Sequence, residues 1–197
     1  KVPEDKLDWA YPSYDVSLQT LAAPTGGDLA LYRKKIRKFR AEQTQIIDMR
    51  GLKRPEIEKI VTEVTQRWVL TKYKQLQWPR DERNRHFNEL LEPYISLTQF
   101  SGLSTLNIDG LAIKRPEGYI AFAFWEKPRA GEIVPCMAAL PYSHEKGLSE
   151  YLYYCIAKRL VAEGYDRMCI GGSETESLDR FKRKLAPIAT HHLNTIK

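Results

Sequence analysis

Two short glycine-containing stretches could hold an anion or a polarised carbonyl group. They are Lys146-Gly147-Leu148-Ser149 and Gly171-Gly172-Ser173, and each follows a predicted strand and opens a predicted helix. The first N–H groups of a helix have no partner within the helix, so they suit a phosphate or a developing oxyanion. Ser173 is a predicted N-cap, with Glu176 at the capping-box spacing. A plain strand-to-helix connection is the alternative for both stretches.

Motifs for other common chemistries are absent from the sequence. There is no G-x-S-x-G elbow, no P-loop and no G-x-G-x-x-G fingerprint. His191 and His192 are adjacent, and His86 and His144 have no histidine at a metal-binding spacing. We therefore expect neither a metal site nor a tightly bound cofactor.

A dense run of cations is the second chemical feature. Asp28 is predicted to cap a helix that ends near Glu42, and its outer face carries six cations: Arg33, Lys34, Lys35, Arg37, Lys38 and Arg40. This face suits the phosphate groups of nucleic acid or of anionic lipid, and a solvated helix face is the alternative. The formal net charge of +6 favours polyanionic partners as well.

Length and composition predict one large domain. The 197 residues include 43% hydrophobic residues, enough for a core, and three cysteines whose spacing matches no zinc or redox motif. We expect these cysteines to be buried free thiols. The longest apolar run is too short to span a bilayer, and no secretory signal is evident at the start. The expected location is the cytoplasm, with the membrane periphery as the alternative.

Periodicity predicts the order of the elements. Residues 1–27, rich in proline, glycine and aromatic residues, are expected to form an irregular N-terminal arm, and residues 28–197 the main domain. After the basic helix we predict a strand over 44–49, helices over 55–74 and 81–93, and strands over 103–113, 119–125 and 132–142. A helix over 148–163, a strand over 166–170, a helix with Leu178, Phe181 and Leu185 inward, and a strand over 188–196 follow. The three central strands predict an antiparallel meander, and the strand–helix–strand step predicts a mixed sheet with helices on both faces, an α/β domain.

This order resembles the acetyltransferase-like (GNAT) fold. Several short motifs resemble the domain family once filed as DUF2156, which includes the C-terminal catalytic domain of phosphatidylglycerol lysyltransferases and is related in fold to the Fem ligases. They are Tyr32-Arg33-Lys34-Lys35-Ile36-Arg37-Lys38-Phe39, Thr65-Gln66-Arg67-Trp68, Gly118-Tyr119-Ile120-Ala121-Phe122, Gly147-Leu148-Ser149-Glu150-Tyr151-Leu152 and Gly171-Gly172-Ser173-Glu174. Leu178-Asp179-Arg180-Phe181-Lys182 is similar to a stretch near the end of the Fem ligases. The resemblance covers roughly residues 28–190.

The resemblance implies an acyltransferase. Its donor substrate is an aminoacyl-tRNA or an acyl-coenzyme A, and its acceptor is an amine or hydroxyl of a small molecule, lipid or peptide. Full-length relatives usually carry two such domains, and this chain resembles the second; a second GNAT domain or another copy of the chain is therefore an expected partner. A coenzyme-A-dependent N-acetyltransferase and a non-catalytic basic adaptor for nucleic acid or anionic lipid are the alternatives.

The resemblance also suggests roles for individual residues. Lys182 would lie near the reacting ester, in a splayed opening between the middle strands, where it or backbone N–H groups over 136–140 could stabilise an oxyanion. Glu174 is a candidate base, and Tyr142 and His144 are further candidate proton carriers. Residues 146–149 would hold the phosphates of the donor, and the basic helix, with Arg33, Lys34, Arg37 and Lys38, would face the tRNA or an anionic acceptor. Surface or capping roles are the alternatives for Lys182 and Glu174.

Overall fold

A computed structural model describes residues 11–40, 44–76, 79–98, 107–141, 145–173 and 175–192 of the chain. These residues form seven strands: β1 (Ser13–Ser17), β2 (Gln45–Asp48), β3 (Ile108–Arg115), β4 (Gly118–Glu126), β5 (Val134–Pro141), β6 (Arg167–Cys169) and β7 (Pro187–His191). They also form six helices: α1 (Leu18–Ala22), α2 (Ala30–Arg40), α3 (Arg54–Leu76), α4 (Arg80–Thr98), α5 (Leu148–Ala162) and α6 (Glu176–Arg183). The predicted α/β class is confirmed.

The seven described strands form one mixed sheet in the order β2-β3-β4-β5-β6-β1-β7. The predicted antiparallel meander is β3, β4 and β5. Strands β5 and β6 run parallel, joined by the crossover through α5. Strand β1 pairs antiparallel with both β6 and β7. The meander and the crossover together give the predicted mixed sheet.

Helices cover both faces of the sheet and create two apolar clusters. The larger cluster includes buried residues of α1, α2 and α5, and the smaller one includes buried residues of α3. Neighbouring residues of β4 belong to different clusters. Phe122 and Phe124 are part of the smaller cluster, and Ala123 and Trp125 are part of the larger one. Because successive side chains of a strand point to opposite faces, β4 is apolar on both sides, as predicted for a central strand.

Helix α3 is fixed to the β3–β4 hairpin through a glycine. Gly118 has a φ of 123°, which favours glycine, and a Cβ built there would lie 2.0 Å from Oε1 of Glu63. Glu63 accepts the N–H of Tyr119 at 3.1 Å and pairs with Arg67 at 3.0 Å. Arg67 in turn donates to the carbonyl of Glu117. The motifs around Arg67 and Gly118 therefore pack against each other.

Residues 13–22 differ from the irregular arm expected at the N-terminus. They form β1, which lies inside the sheet between β6 and β7, and the short helix α1. Val16, Leu18 and Leu21 are fully buried, and the hydroxyl of Ser17 caps α1 by accepting the N–H of Thr20 at 3.2 Å. Val16 of β1 pairs with Met168 of β6 and with Pro187 of β7, so both partner strands lie about 150 or more residues away in sequence. The local sequence pattern of residues 13–17 therefore could not predict this pairing.

Helix α4 also differs from its predicted end, because it continues past Pro93 to Thr98. Proline removes one backbone hydrogen bond, but Leu91 and Tyr94 pack against the smaller cluster on either side of it, and Pro93 itself is exposed. Among the described helices, none is both long enough and apolar enough to cross a membrane.

Candidate active site

The parallel strands β5 and β6 separate soon after they begin. Their described pairing is limited to Val134 with Met168 and Pro135 with Cys169, although β5 continues to Pro141. Beyond Cys169 the chain follows β1 instead, where the N–H of Ile170 donates to the carbonyl of Tyr14 at 2.8 Å. The two strands thus diverge towards their carboxyl ends, the edge at which open α/β sheets bind ligands, and we call this gap in their described pairing the opening.

The strand on one side of this opening is irregular. Phe124 pairs with Ala138 and Trp125 with Cys136, so Met137 is an extra residue, a β-bulge in β5. The Met137 side chain is 46% exposed, an unusual value for a large apolar residue in the middle of a sheet. A bulge changes the direction of the backbone N–H and C=O groups at this position. Met137 lies within the stretch 136–140, whose N–H groups were predicted to stabilise an oxyanion.

Lys182 lies at the opening as a buried cation. Its residue exposure is 5%, and its Nζ donates to the carbonyls of Gly171, at 3.2 Å, and of Gly172. Burial raises the pKa of the Cys136 thiol on β5 to about 12, and the Lys182 ammonium acts against this rise, which indicates that Lys182 is near β5 as well. A buried ammonium needs such partners because its desolvation is costly. Lys182 is therefore held by the turn after β6.

Helix α6 buries two charged residues beside its predicted apolar stripe. Asp179 and Lys182 are buried, whereas Leu178 and Phe181 are half-buried. Of the predicted stripe, Leu185 is fully buried just after the helix and Phe181 packs against the larger cluster. Asp179 accepts the hydroxyl of Tyr14 at 2.7 Å in the core. Burial, and then the bond to Asp179, raise the pKa of Tyr14. The helix is thus docked by specific polar contacts, which fix the position of Lys182.

The glycine turn before α6 differs from its expected role. The N-cap is Thr175, whose Oγ1 accepts the N–H of Leu178 at 3.3 Å, so the helix begins after the predicted cap at Ser173. Ser173 is fully buried beside Tyr11, and among the described residues its hydroxyl has no hydrogen-bond partner. The turn therefore directs carbonyl groups at Lys182, instead of helical N–H groups at an anion.

The start of α5 is covered by the basic helix. Gly147, with a φ of 102°, is the N-cap, and a Cβ added to it would lie 2.9 Å from Cβ of Lys35 on α2. Gly147 and Leu148 are buried, Ser149 is half-buried and Lys146 is exposed. Lys35 also forms an ion pair with Glu150 in the first turn of α5. The second predicted ligand site is therefore only partly open.

The predicted cations of α2 are close to this start of α5. Lys34, Arg37 and Lys38 are exposed, whereas Arg33 is half-buried and donates from Nη1 to the carbonyl of Gly26 at 2.5 Å. We call the exposed cations Lys34, Arg37, Lys38 and Lys146 the basic surface. Because α2 packs over Gly147, the structure brings together residues that the sequence placed in two separate groups.

Sequence reasoning missed several residues here. Arg115 lies 5.2 Å from the ring of Phe39 and pairs with Glu145 at 2.5 Å, just before α5. Its place in a proline-containing hairpin turn gave no local signal of this contact. Tyr14 and Asp179 were missed for different reasons: Tyr14 lay in the expected arm, and Asp179 was assigned outside the inner stripe of α6.

Three predicted catalytic residues, Tyr142, His144 and Glu174, lie outside the described residues. Within the described part of the chain, no group of three or more His, Cys, Asp and Glu side chains is placed to hold a metal ion.

No protein-family model and no curated protein matches the sequence. Solved structures do match it. A conserved protein of unknown function from Bacteroides thetaiotaomicron VPI-5482 has a TM-score of 0.71 at 18% identity, with 96% of this chain and 61% of that chain covered. The C-terminal domain (DUF2156) of a protein from Agrobacterium fabrum, assigned as a lysylphosphatidylglycerol synthetase, has a TM-score of 0.58 at 14% identity, with 92% and 57% covered. L-PGS from Bacillus licheniformis has a TM-score of 0.61 at 13% identity, with 92% and 58% covered.

These similarities confirm the predicted GNAT-like fold of the DUF2156 kind. At identities of 13–18% they show the fold alone. The chain spans about three fifths of the length of these structures.

Proposed function

We propose that the protein is an acyltransferase that moves an aminoacyl group from an aminoacyl-tRNA to an amine or hydroxyl acceptor. The reacting carbonyl would lie in the opening between β5 and β6. The fold likeness to a domain assigned to lysylphosphatidylglycerol synthesis supports this class of reaction, and the acceptor would be a small molecule, lipid or peptide.

The observation that carries the proposal is the buried ammonium of Lys182 at the opening. Attack on an ester produces a tetrahedral intermediate with a negative oxygen, which a fixed cation stabilises without having to reorganise. Lys182 meets this requirement because the carbonyls of Gly171 and Gly172 hold it in place and Asp179 anchors its helix to the core. The buried Ser173 hydroxyl, which lacks a partner among the described residues, is a further candidate contact for the substrate.

The start of α5 favours an aminoacyl-tRNA over an acyl-coenzyme A as the donor. The Lys35 stem of α2 already lies against Gly147, the N-cap of α5, which leaves less room for a pyrophosphate there. Three exposed cations of the basic surface, Lys34, Arg37 and Lys38, in contrast lie on one helix and can contact phosphates of an RNA backbone. In this proposal the phosphates therefore contact the basic surface.

Binding of the donor provides the first test. Aminoacyl-tRNA, coenzyme A and acetyl-coenzyme A are each added to the protein, and thermal unfolding is measured; a ligand at about 100 times its Kd adds about 2.7 kcal/mol to the stability. We expect stabilisation by aminoacyl-tRNA and not by either coenzyme. Stabilisation by acetyl-coenzyme A alone would instead identify a coenzyme-A-dependent N-acetyltransferase, and no stabilisation by any of the three would contradict the proposal.

A triple substitution, Lys34→Ala, Arg37→Ala and Lys38→Ala, tests the basic surface. Each phosphate contact contributes about 0.7–0.9 to the slope of log K against log salt, so the slope should fall by about 2–3. Lys59→Ala, at an exposed lysine of α3, is the matched control and should leave the slope unchanged. An adaptor without catalytic activity would bind tRNA with the same slope, but would not accelerate release of the amino acid.

A further inference from the structure

A separate cavity lies beside α6, where that helix faces β1 and β7. Its volume is about 340 Å³, at the lower end of the range of about 300–1,000 Å³ that small-molecule sites occupy. We call it the α6 pocket, lined by Pro12, Tyr14, Arg183, Pro187, Thr190 and His192. None of the residues assigned to the transfer reaction lines it, so it is separate from the candidate active site.

The guanidinium of Arg183 is the main charged group of the α6 pocket, and a hydrogen bond to Asp179 fixes its position. Its Nε donates to Oδ2 of Asp179 at 2.8 Å, and Asp179 is in turn fixed by the Tyr14 hydroxyl at 2.7 Å. The Asp179 side chain is 5% exposed, whereas that of Arg183 is 62% exposed. The guanidinium also interacts with the Tyr14 hydroxyl. A buried carboxylate and a buried phenol thus orient a largely exposed arginine, whose remaining N–H groups lie in the same plane for a ligand.

A second arginine–carboxylate pair on α6 lacks this buried anchor. Arg180 pairs with Glu176 at 3.2 Å with the same sequence spacing, but both side chains are about two-thirds exposed. Such a pair is an ordinary surface ion pair, whose contribution is small. Only the Arg183 pair combines a buried anchor with a cavity, among the described residues of α6.

The polar groups that line the α6 pocket are rich in hydrogen-bond donors. Arg183 has only donors, Thr190 has a hydroxyl and His192 carries a ring N–H in either tautomer. No Asp or Glu is among the described residues lining the pocket, and Asp179, the partner of Arg183, is not one of the lining residues. Pro12 and Pro187 add apolar walls.

We propose that the α6 pocket binds a small molecule through a carboxylate or phosphate group, with Arg183 as the main contact. A planar guanidinium pairs with both kinds of oxyanion through two parallel hydrogen bonds. Thr190 and His192 bind the remaining oxygens, and the proline walls contact the apolar part of the ligand. This proposal does not depend on the transferase function.

The test is a nuclear magnetic resonance titration of the isotope-labelled protein with sodium acetate or inorganic phosphate at constant ionic strength, with chloride as the reference anion. We expect saturable shifts that centre on the α6 pocket. Arg183→Ala should weaken binding at least about tenfold, because it removes a charge-assisted contact. Arg180→Ala, the matched arginine on the same helix, should leave binding unchanged.

Arg183→Ala also removes a partner of the buried Asp179, so a second variant separates binding from folding. Thr190→Val keeps the shape of the side chain and removes only the hydroxyl, and it should weaken binding several-fold. Saturable binding of acetate identifies a carboxylate ligand, and saturable binding of phosphate alone a phosphorylated one. The proposal is wrong if neither anion binds saturably, or if Arg180→Ala weakens binding as much as Arg183→Ala.

Discussion

Asp109 on β3 is a fully buried carboxylate, and it should make the stability of the protein depend on pH. Its exposure is 0%; the N–H of Gly110 donates to Oδ1 at 2.8 Å, while Arg50 lies 3.3 Å and Arg159 3.8 Å from Oδ2. Burial raises the pKa of Asp109 from 3.8 to about 6, and the charges of Glu163 and Asp48 add to the rise. The cost of desolvation therefore exceeds the stabilisation that the N–H of Gly110 and the charge of Lys127 give to the carboxylate.

The direction of the effect follows from this raised pKa. Between about pH 4 and 6 the folded protein holds a proton on Asp109 that the unfolded chain has lost, so the free energy of unfolding falls as the pH rises. Moving a carboxyl pKa from 3.8 to about 6 corresponds to about 3 kcal/mol at most. Because Arg50 is partly exposed and solvent reaches the cluster, we expect about 1–3 kcal/mol. The loss is complete above about pH 7.

Asp109→Asn isolates this contribution. Urea unfolding of the variant and of the wild type is measured from pH 4.5 to 8, and the difference in unfolding free energy is plotted against pH. We expect the variant to gain about 1–2 kcal/mol relative to the wild type over this range, because part of the full change already occurs below pH 4.5. Ile113→Val on the same strand titrates nothing and should give a difference independent of pH. A flat or falling difference for Asp109→Asn would refute the reasoning.

Two further substitutions test packing contacts. Gly118→Ala should lower the free energy of unfolding by about 2 kcal/mol or more, because its φ of 123° is strained for alanine and its Cβ would meet Glu63. Gly27→Ala, with nothing within 4 Å, should change it by less than about 0.5 kcal/mol in the same urea unfolding, and equal effects of both would contradict this account. Tyr14→Phe should cost about 1–3 kcal/mol, because the buried Asp179 loses a 2.7 Å hydrogen bond. A double-mutant cycle with Asp179→Asn should give a coupling above about 0.5 kcal/mol, and additive effects would show that the bond contributes nothing.

The sequence predicted the elements that depend on local pattern. The basic helix and helix α5 occur close to their predicted bounds, because their apolar residues repeat with the period of a helix. The three strands of the meander also occur, although the predicted start of the first, over 103–106, lies outside the described residues. Strand β1 was not predicted, since a five-residue strand such as Ser13–Ser17 is too short to establish a period and gains its stability from distant partners.

The candidate site was predictable in part. The sequence predicted the glycine turn and Lys182 as parts of the site, and the structure brings the two into contact. The burial of Asp179 and Lys182 was not predictable, because hydrophobic patterning selects only the apolar residues of a short helix. Their burial depends on partners distant in sequence, such as Tyr14.

The position of Lys182 at the opening between β5 and β6 is the central claim, and a pair of substitutions tests it most directly. Lys182→Met keeps the length of the side chain and removes the charge, and Lys184→Met makes the same change at an exposed lysine two residues away. The measurement is the single-turnover release of a labelled amino acid from aminoacyl-tRNA in the presence of lipid, peptide and small-amine acceptors, with folding checked by circular dichroism. We predict a rate at least about 100-fold lower for a folded Lys182→Met variant, the loss typical of an oxyanion donor, and an unchanged rate for Lys184→Met. A folded Lys182→Met variant that transfers at the wild-type rate would contradict the account.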